Sequence, residues 1–228
     1  MLMLRSIFKG GARGSRNAPL EAGAPSPKGI PIPAATALRK VVPKVRPRRH
    51  YEAWCRRHGE ARRPVWVDLG GPFAQSLVLD FPTGELDVTA QHLEAWGLDF
   101  QDLMVQARSN LLARGAEEGF LRSRSGYWRS TWEDALDGSR VLLPGVLRRL
   151  PVQGDPVALM PRKDVLLVTG TEDEDILARA IAFARDLMDG SSDTLDPSPI
   201  RLRGFLWEPH PAISESRPPQ RFSPGACA

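Results

Sequence analysis

The side chains in this sequence that could do chemistry are mainly carboxylates in predicted turns. Asp164 follows Arg162 and Lys163 in the turn of a predicted β-hairpin. A carboxylate in that position could bind a cation or a peptide amine, or act as a base. An Asp in a tight turn also commonly accepts hydrogen bonds from nearby backbone amides and so fixes the turn. We favour the structural role, and we treat all three residues as candidate binding or turn residues.

A second set of carboxylates surrounds the turn that follows a predicted strand at residues 74–81. Asp80, Glu85 and Asp87 could meet Asp68 on the adjacent strand and form a metal site or an acid–base cluster. Solvated strand ends are the simpler interpretation, and we favour it. Asp80 and Asp87 are therefore candidate binding residues, while we expect no metal and no cofactor.

Other patterns point away from an enzyme. The acidic run 172–175 has oxygen ligands that suit Ca²⁺ or Mg²⁺, but acidic residues in a first helical turn also complement the helix dipole, and we favour helix capping. The sequence has no G-x-S-x-G nucleophile motif and no glycine-rich phosphate loop. Its four histidines are dispersed along the chain. We therefore name no catalytic residue, and the sequence favours a protein without catalytic activity.

The charge of the chain is divided between two parts. Residues 1–63 hold 15 Lys and Arg against 3 Asp and Glu, a net charge of +12, whereas residues 64–228 hold 16 against 24, a net charge of −8. A basic arm of this kind can attract phosphate, an anionic surface or the acidic body of the same protein. Nucleic acid is the least favoured partner, because the basic residues are scattered among Pro, Gly and Ala with few aromatic residues for stacking.

The elements that position these residues fall into four segments. Residues 1–47 carry 7 Pro and 5 Gly, a composition that predicts a disordered basic arm. Residues 48–63 could form a helix whose aromatic residues share one face and dock on the core. Residues 64–208 are predicted to form an α+β domain, and residues 209–228, with 5 Pro, a disordered tail.

Within the domain, apolar alternation and capping residues predict a mixed, mostly antiparallel sheet packed by helices. The predicted strands are 65–69, 74–81, 157–161, 164–168 and 200–207. The predicted helices begin after the N-cap residues Thr89, Asp99 and Thr171. The mostly apolar strand at 74–81 is expected at the centre of the sheet.

The C-terminal part of the predicted domain carries the most distinctive order of motifs. Residues 154–183 read GDPVALMPRKDVLLVTGTEDEDILARAIAF, and residues 200–209 read IRLRGFLWEP. This order of a strand, a Pro-x-x-Asp turn, a second strand, an acidic loop, a helix and a last strand resembles the YtpQ-like proteins, a bacterial family catalogued as a domain of unknown function. The resemblance spans roughly residues 65–208 and is strongest in residues 155–208. It implies a compact α+β domain and supplies no reaction.

The leading functional hypothesis is a non-catalytic binding protein whose acidic body engages a protein or a basic ligand. The alternatives are a metal-assisted hydrolase that uses the clustered Asp residues, and nucleic-acid contact through the basic arm. No apolar run approaches the ~18–20 residues that a membrane-spanning helix needs, and the beginning of the chain does not have the pattern of an export signal. We therefore expect a cytoplasmic protein without membrane contact, and its oligomeric state stays open.

Overall fold

The computed structural model describes residues 32–58, 63–115 and 119–211. Their strands are β1 Val41–Pro47, β2 Trp66–Gly70, β3 Phe73–Phe81, β4 Gly84–Asp87, β5 Phe120–Arg122, β6 Trp128–Ser130, β7 Pro156–Arg162, β8 Val165–Gly170, β9 Thr194–Arg203 and β10 Leu206–Pro209. Their helices are α1 Ala34–Lys40, α2 Arg48–His58, α3 Ala90–Trp96, α4 Phe100–Leu112, α5 Pro144–Leu147 and α6 Glu174–Met188, with a 3-10 helix at Gly138–Leu142.

The strands form two sheets in which the paired strands run antiparallel. The first sheet has the order β1-β3-β2, and β4 pairs with the C-terminal part of β3. The second sheet has the order β10-β9-β7-β8-β6-β5. Because helices pack on antiparallel sheets, the predicted α+β class is confirmed.

Strand β3 has buried apolar side chains on both faces of the first sheet. Leu77 and Leu79 pack with Ala37 of α1 and with Leu103 of α4 in one apolar cluster. Val78 points to the opposite face, since successive residues of a strand alternate, and lies in the core that the two sheets share. The first sheet therefore lies between helices on one side and the second sheet on the other.

The second sheet is covered in the same alternating way. Ala158 of β7 lies in the core shared by the two sheets, whereas Val157 and Leu159 pack against Leu177 of α6. The 3-10 helix and α5 add Val141, Leu142, Val146 and Leu147 to the shared core. Burying each large apolar side chain stabilises the fold by about 1.5–3 kcal/mol before the loss of chain entropy is subtracted.

The start of the fold differs from the sequence-based expectation. Residues 32–47, which were expected in a disordered arm, form α1 and β1. Val42 and Val45 of β1 are almost completely buried, and their burial offsets a composition that is otherwise poor in apolar residues. Pro43 has no backbone N–H to donate. It is tolerated in β1 because an edge strand has a neighbouring strand on one side only, so no strand on the other side needs that donor. Residues 1–31 of the expected arm lie outside the described residues.

The remaining segments lie close to the expected positions. Helix α2 occupies the segment that was expected to dock on the core, and Tyr51 of this helix is buried with its ring stacked on Trp66. The sheet ends at Pro209 with β10, and most of the expected tail, from residue 212, lies outside the described residues. No helix in the described ranges has the length and apolar character needed to cross a membrane.

The last predicted strand is two strands joined by a tight turn. Residues 200–207 were expected as one strand, but β9 ends at Arg203 and β10 begins at Leu206. Gly204 has a φ of +58°, a left-handed conformation that glycine adopts without a steric penalty. The chain therefore reverses at Gly204 and Phe205, and this turn lies at the edge of the second sheet.

Candidate functional site

Strand β1 carries two cations onto one face of the first sheet. Lys44 and Arg46 are two residues apart in the strand and so point to the same side. The Lys44 ammonium donates to Glu85 Oε1 at 2.5 Å and to the backbone oxygen of Ala135 at 3.2 Å. The Arg46 guanidinium donates to Asp87 Oδ1 at 2.8 Å and to Glu85 Oε2 at 3.4 Å. The long side chains of β1 thus reach across β3 to the carboxylates of β4.

Burial and charge change the pKa values of this group in opposite directions. Burial lowers the pKa of Lys44, which is only 4% exposed, and the carboxylate of Glu85 only partly offsets this effect. Burial alone would raise the pKa of Glu85, but the charges of Lys44 and Arg46 outweigh it and lower that pKa. Burial also opposes the charge on Arg46, yet Asp87 and the other neighbours raise its pKa. The group is therefore a set of fixed, mutually neutralising charges.

The first turns of α2 extend this polar group. The Tyr51 hydroxyl lies 2.6 Å from Ser76 Oγ, and burial raises the pKa of Tyr51 to about 12. His50 Nε2 lies 3.3 Å from the Arg46 guanidinium, which can only donate, so this nitrogen accepts. Burial, together with the charge of Arg46, lowers the pKa of His50 to about 4. His50 is therefore neutral at pH 7.

Two arginines at the start of α2, in the segment predicted as a docking helix, also pair with the rest of the protein. Arg48 lies 3.4 Å from Asp68, and Arg49 lies 3.1 Å from Asp196 and 2.7 Å from the backbone oxygen of Leu195. The basic N-terminal part was expected to attract phosphate, an anionic surface or the acidic part of the same chain. These contacts are of the third kind.

These contacts change the charge of the folded part. Residues 32–211 of the sequence together hold 24 Lys and Arg against 25 Asp and Glu, a net charge of −1. The value of −8 for residues 64–228 left out β1 and α2, whose cations neutralise the carboxylates of β2, β4 and β9. The expected acidic body is therefore not a property of the described residues.

The turn residues singled out from the sequence form local ion pairs. The Asp164 carboxylate accepts two hydrogen bonds from the Arg162 guanidinium, at 3.0 and 2.9 Å. Lys163 pairs with Asp193 at 3.2 Å and lies close enough to influence the pKa values of Lys44 and Glu85. Asp164 thus has an arginine side chain as its partner rather than the backbone amides that were expected, and the roles of the three residues stay predictions.

The aspartates of the first sheet hold different arginines and do not meet. Asp80 pairs with Arg114 at 2.7 Å, and Asp87 and Asp68 pair with arginines of β1 and α2. In residues 32–58, 63–115 and 119–211, no group of three His, Cys, Asp or Glu side chains could hold a metal ion. Asp68, Asp80 and Asp87 therefore do not form the carboxylate cluster that was considered for a metal-assisted hydrolase.

The acidic run 172–175, at the start of α6, lines an open depression of about 440 Å³ together with Ile176 and Arg179. Asp173 accepts a hydrogen bond from the backbone amide of Gln153, and the acidic side chains of the first turn lie where they complement the helix dipole. The interaction with the helix dipole is therefore as expected, but the expected helix capping is wrong, because the N-cap residue Asp173 makes no side-chain cap hydrogen bond.

The 3-10 helix and the loop before it contain a group of buried polar side chains that the sequence analysis did not identify. Arg140 is completely buried, donates two hydrogen bonds of 2.8 Å to Asp134, and lies 4.1 Å over the ring of Trp132. Asp137 is also buried, and neither of its carboxylate oxygens has a hydrogen-bond partner among the described residues. Burial raises the pKa of Asp137; the nearby Ser130 hydroxyl, although not aligned as a hydrogen-bond donor, partly opposes this effect, and the charge of Asp134 adds to it.

The β9–β10 turn presents two highly exposed apolar side chains. The sequence analysis did not identify them. Phe205 is 82% exposed and Leu206 is 76% exposed. The Arg148 guanidinium lies 4.8 Å over the Phe205 ring, within the range of a cation–π contact. The sequence signal was present, because Gly204 between two alternating runs is typical of a two-residue hairpin turn.

Comparison of the chain with family models, with curated proteins and with solved structures gave no match. Membership of the YtpQ-like family therefore stays a prediction.

Proposed function

We propose that this chain is a non-catalytic protein-binding domain whose binding surface is the β9–β10 turn. The observation that carries the proposal is the exposure of Phe205 and Leu206, which are adjacent and project from the edge of the second sheet. Single exposed apolar residues are ordinary on protein surfaces. An aromatic and an aliphatic side chain side by side, with an arginine stacked on the ring, have the composition that is enriched at protein interfaces.

The state of the carboxylates supports a function without catalysis. Asp68, Asp80 and Asp87 each hold a separate arginine, and Glu85 is held by Lys44. A general acid or base must reach a reacting group and exchange a proton with it. Carboxylates that are already held in ion pairs with arginine or lysine are poorly suited to that role, whereas they are well suited to fixing strands in place.

The other expected ligands have less support. A basic ligand was expected from an acidic body, but residues 32–211 carry a net charge of only −1. Nucleic-acid contact was expected through the basic arm, residues 1–47; its residues Lys44 and Arg46 form ion pairs within the fold, and residues 1–31 lie outside the described residues. The cytoplasmic location, the YtpQ-like family and the two alternative functions stay predictions from the sequence.

The test compares proteins captured by the full-length chain and by matched variants. Phe205→Ser and Leu206→Ser remove the apolar surface of the turn. Leu121→Ser is the control, because Leu121 is 67% exposed on β5, at the opposite edge of the same sheet. We expect a partner that remains bound at about 0.5 M salt, where exposed charge contacts are screened, and that is lost from both turn variants but not from the control.

The purified partner is then titrated against each chain by calorimetry. Equal affinity of all four chains would contradict the proposed surface. Binding that disappears at moderate salt and shows no preference among proteins would contradict the proposed function as a whole.

A further inference from the structure

The register of the β9–β10 hairpin determines which side chains lie beside Leu206. Directly opposite residues of an antiparallel pair share a face of the sheet. Arg203 is opposite Leu206, whereas Leu202 is opposite Trp207. Leu202 is buried and Trp207 packs on the shared core. Arg203 and Leu206 therefore lie together on the outer face, and both are exposed.

Two arginines of this surface are available to a partner. Arg201, the next residue on the outer face, pairs with Glu208 at 2.5 Å. Among the described residues, no carboxylate lies within ion-pair distance of Arg148 or Arg203, and the Arg148 guanidinium lies over the Phe205 ring. We call Phe205, Leu206, Arg148 and Arg203 the turn patch. It combines two apolar side chains with two positive charges.

We propose that the turn patch binds an acidic segment of another protein, with an apolar side chain against Phe205 and Leu206 and with carboxylates on Arg148 and Arg203. The proposal rests on the proposed function and adds the chemistry of the partner. Arginine presents planar, paired donors that match a carboxylate. An apolar anchor supplies affinity that salt does not screen, while the two charges select acidic over basic sequences.

The ends of the chain match this patch less well than an acidic partner does. Residues 1–31 hold five Lys and Arg against one Glu, and residues 212–228 hold two Arg against one Glu. Both segments are therefore basic and would place positive charge beside Arg148 and Arg203. Charge complementarity favours a partner from outside the chain.

The probe is a display library of short random peptides, selected on the immobilised full-length chain. We expect the selected peptides to contain more Asp and Glu than Lys and Arg, around a Leu or an aromatic residue. Synthetic copies of these peptides, labelled with a fluorophore, then give affinities for the full-length chain and its variants by fluorescence polarisation.

The variants separate the apolar part of the turn patch from its charged part. Phe205→Ser is expected to weaken binding at least about 10-fold, as at a hot-spot residue. Arg148→Gln and Arg203→Gln are each expected to weaken it about 1.5- to 5-fold and to reduce its dependence on salt. Arg203→Lys keeps the charge but not the paired donors, so it is expected to weaken binding less than Arg203→Gln without restoring it fully. Leu121→Ser and Arg124→Gln, on and beside β5, are the matched controls and should change nothing.

Several results would overturn the proposal. Selected peptides that need Phe205 but are neutral or basic, or that are insensitive to both arginine variants, would refute the acidic partner and leave the proposed function standing. Peptides that bind without needing Phe205 would refute the turn patch. Phe205-dependent sedimentation with phosphatidylserine-containing vesicles, in the absence of Phe205-dependent peptides, would replace the protein partner by an anionic lipid surface. Phe205-dependent self-association in light scattering would replace it by a second copy of this chain.

Discussion

The ion pair between Lys44 and Glu85 allows a quantitative test of how the basic segment is built into the fold. Glu85→Gln removes the negative charge at nearly constant size and leaves the ammonium of Lys44, 4% exposed, with only neutral acceptors, the new amide oxygen and the backbone oxygen of Ala135. Lys44→Met removes the buried positive charge instead. Glu85 is then 32% exposed and still within 3.4 Å of Arg46.

The expected magnitudes follow from this difference in burial. Removing one partner of a fully buried ion pair costs about 3–5 kcal/mol, and a hydrogen bond to a charged group contributes about 1.5–3 kcal/mol. Because solvent reaches Glu85, we expect Glu85→Gln to lower the free energy of unfolding by about 2 kcal/mol. Lys44→Met should lower it by ~1 kcal/mol or less, because an apolar side chain of similar length fills the same space.

The double variant Lys44→Met/Glu85→Gln distinguishes a buried pair from two independent effects. Neither charge of the pair remains, so its stability should lie within about 0.5 kcal/mol of Lys44→Met alone. The resulting coupling energy is about 1.5–2.5 kcal/mol, as for residues in direct contact.

Urea unfolding of the full-length chain, followed by tryptophan fluorescence, gives these free energies from the midpoint and slope of each transition. Asp68→Asn is the control, because its pair with Arg48 is largely exposed and should contribute about 0.5 kcal/mol or less. If Glu85→Gln costs no more than Asp68→Asn, or if the effects of Lys44→Met and Glu85→Gln simply add, then Lys44 is not a buried charge that depends on Glu85.

Three further predictions concern pH, a close backbone contact and the hairpin turn. Lowering the pH from about 6.5 to about 4 should destabilise the chain by up to ~3 kcal/mol, because His50 has a pKa of about 4 in the fold and the unfolded chain binds the proton at higher pH; the loss should shrink in His50→Gln, and an unchanged urea-unfolding profile would count against it. Gly70→Ala should cost at least about 2 kcal/mol in thermal unfolding, because its Cβ would lie 2.6 Å from the backbone oxygen of Trp207 at a φ of +141°; Gly97→Ala, also at positive φ but with open space around the added Cβ, should cost less. Asp164→Asn should cost less than about 1 kcal/mol and leave partner binding unchanged, since its ion pair is about one-third exposed; a loss of binding would restore it as a binding residue.

Local sequence signals predicted the ends of helices where only a few adjacent residues decide them. Thr89 and Asp99 cap α3 and α4 as expected, and Gly97 ends α3 with a φ of +64°. Thr171 was expected to cap the last helix, but its hydroxyl accepts from the amide of Asp155 and the helix begins at Glu174. A distant backbone amide competed for this hydroxyl, and no local pattern contains that information.

Strand β1 could not be predicted because its stability comes from a distant partner. Val41 pairs with Leu79, and Pro47 pairs with Phe73. Composition describes only the neighbours along the chain, and seven prolines among small and basic residues outweighed three valines. The same long-range pairing brings Lys44 to Glu85, so the ion pairs of the first sheet were equally hidden, although their carboxylates were singled out.

The turn patch was missed for a different reason. Strict alternation over residues 200–207 predicted a single strand and placed Phe205 on the face opposite Leu206. The left-handed conformation of Gly204 reverses the chain and exposes both side chains instead. Gly204, inside the alternating run, was the sequence signal for a turn. Predicting a hairpin turn at this glycine would have identified the exposed surface.

The most direct measurement of the proposed binding surface is site-specific photo-crosslinking from the β9–β10 turn. A chain with benzoyl-phenylalanine at position 205 keeps an aromatic ring at the turn, and a second chain with the same group at position 121 reports the background from β5. We predict a discrete protein adduct from position 205 that forms even at about 0.5 M salt, and no such adduct from position 121. Identical adducts from both positions, or none from position 205, would contradict a binding surface at this turn.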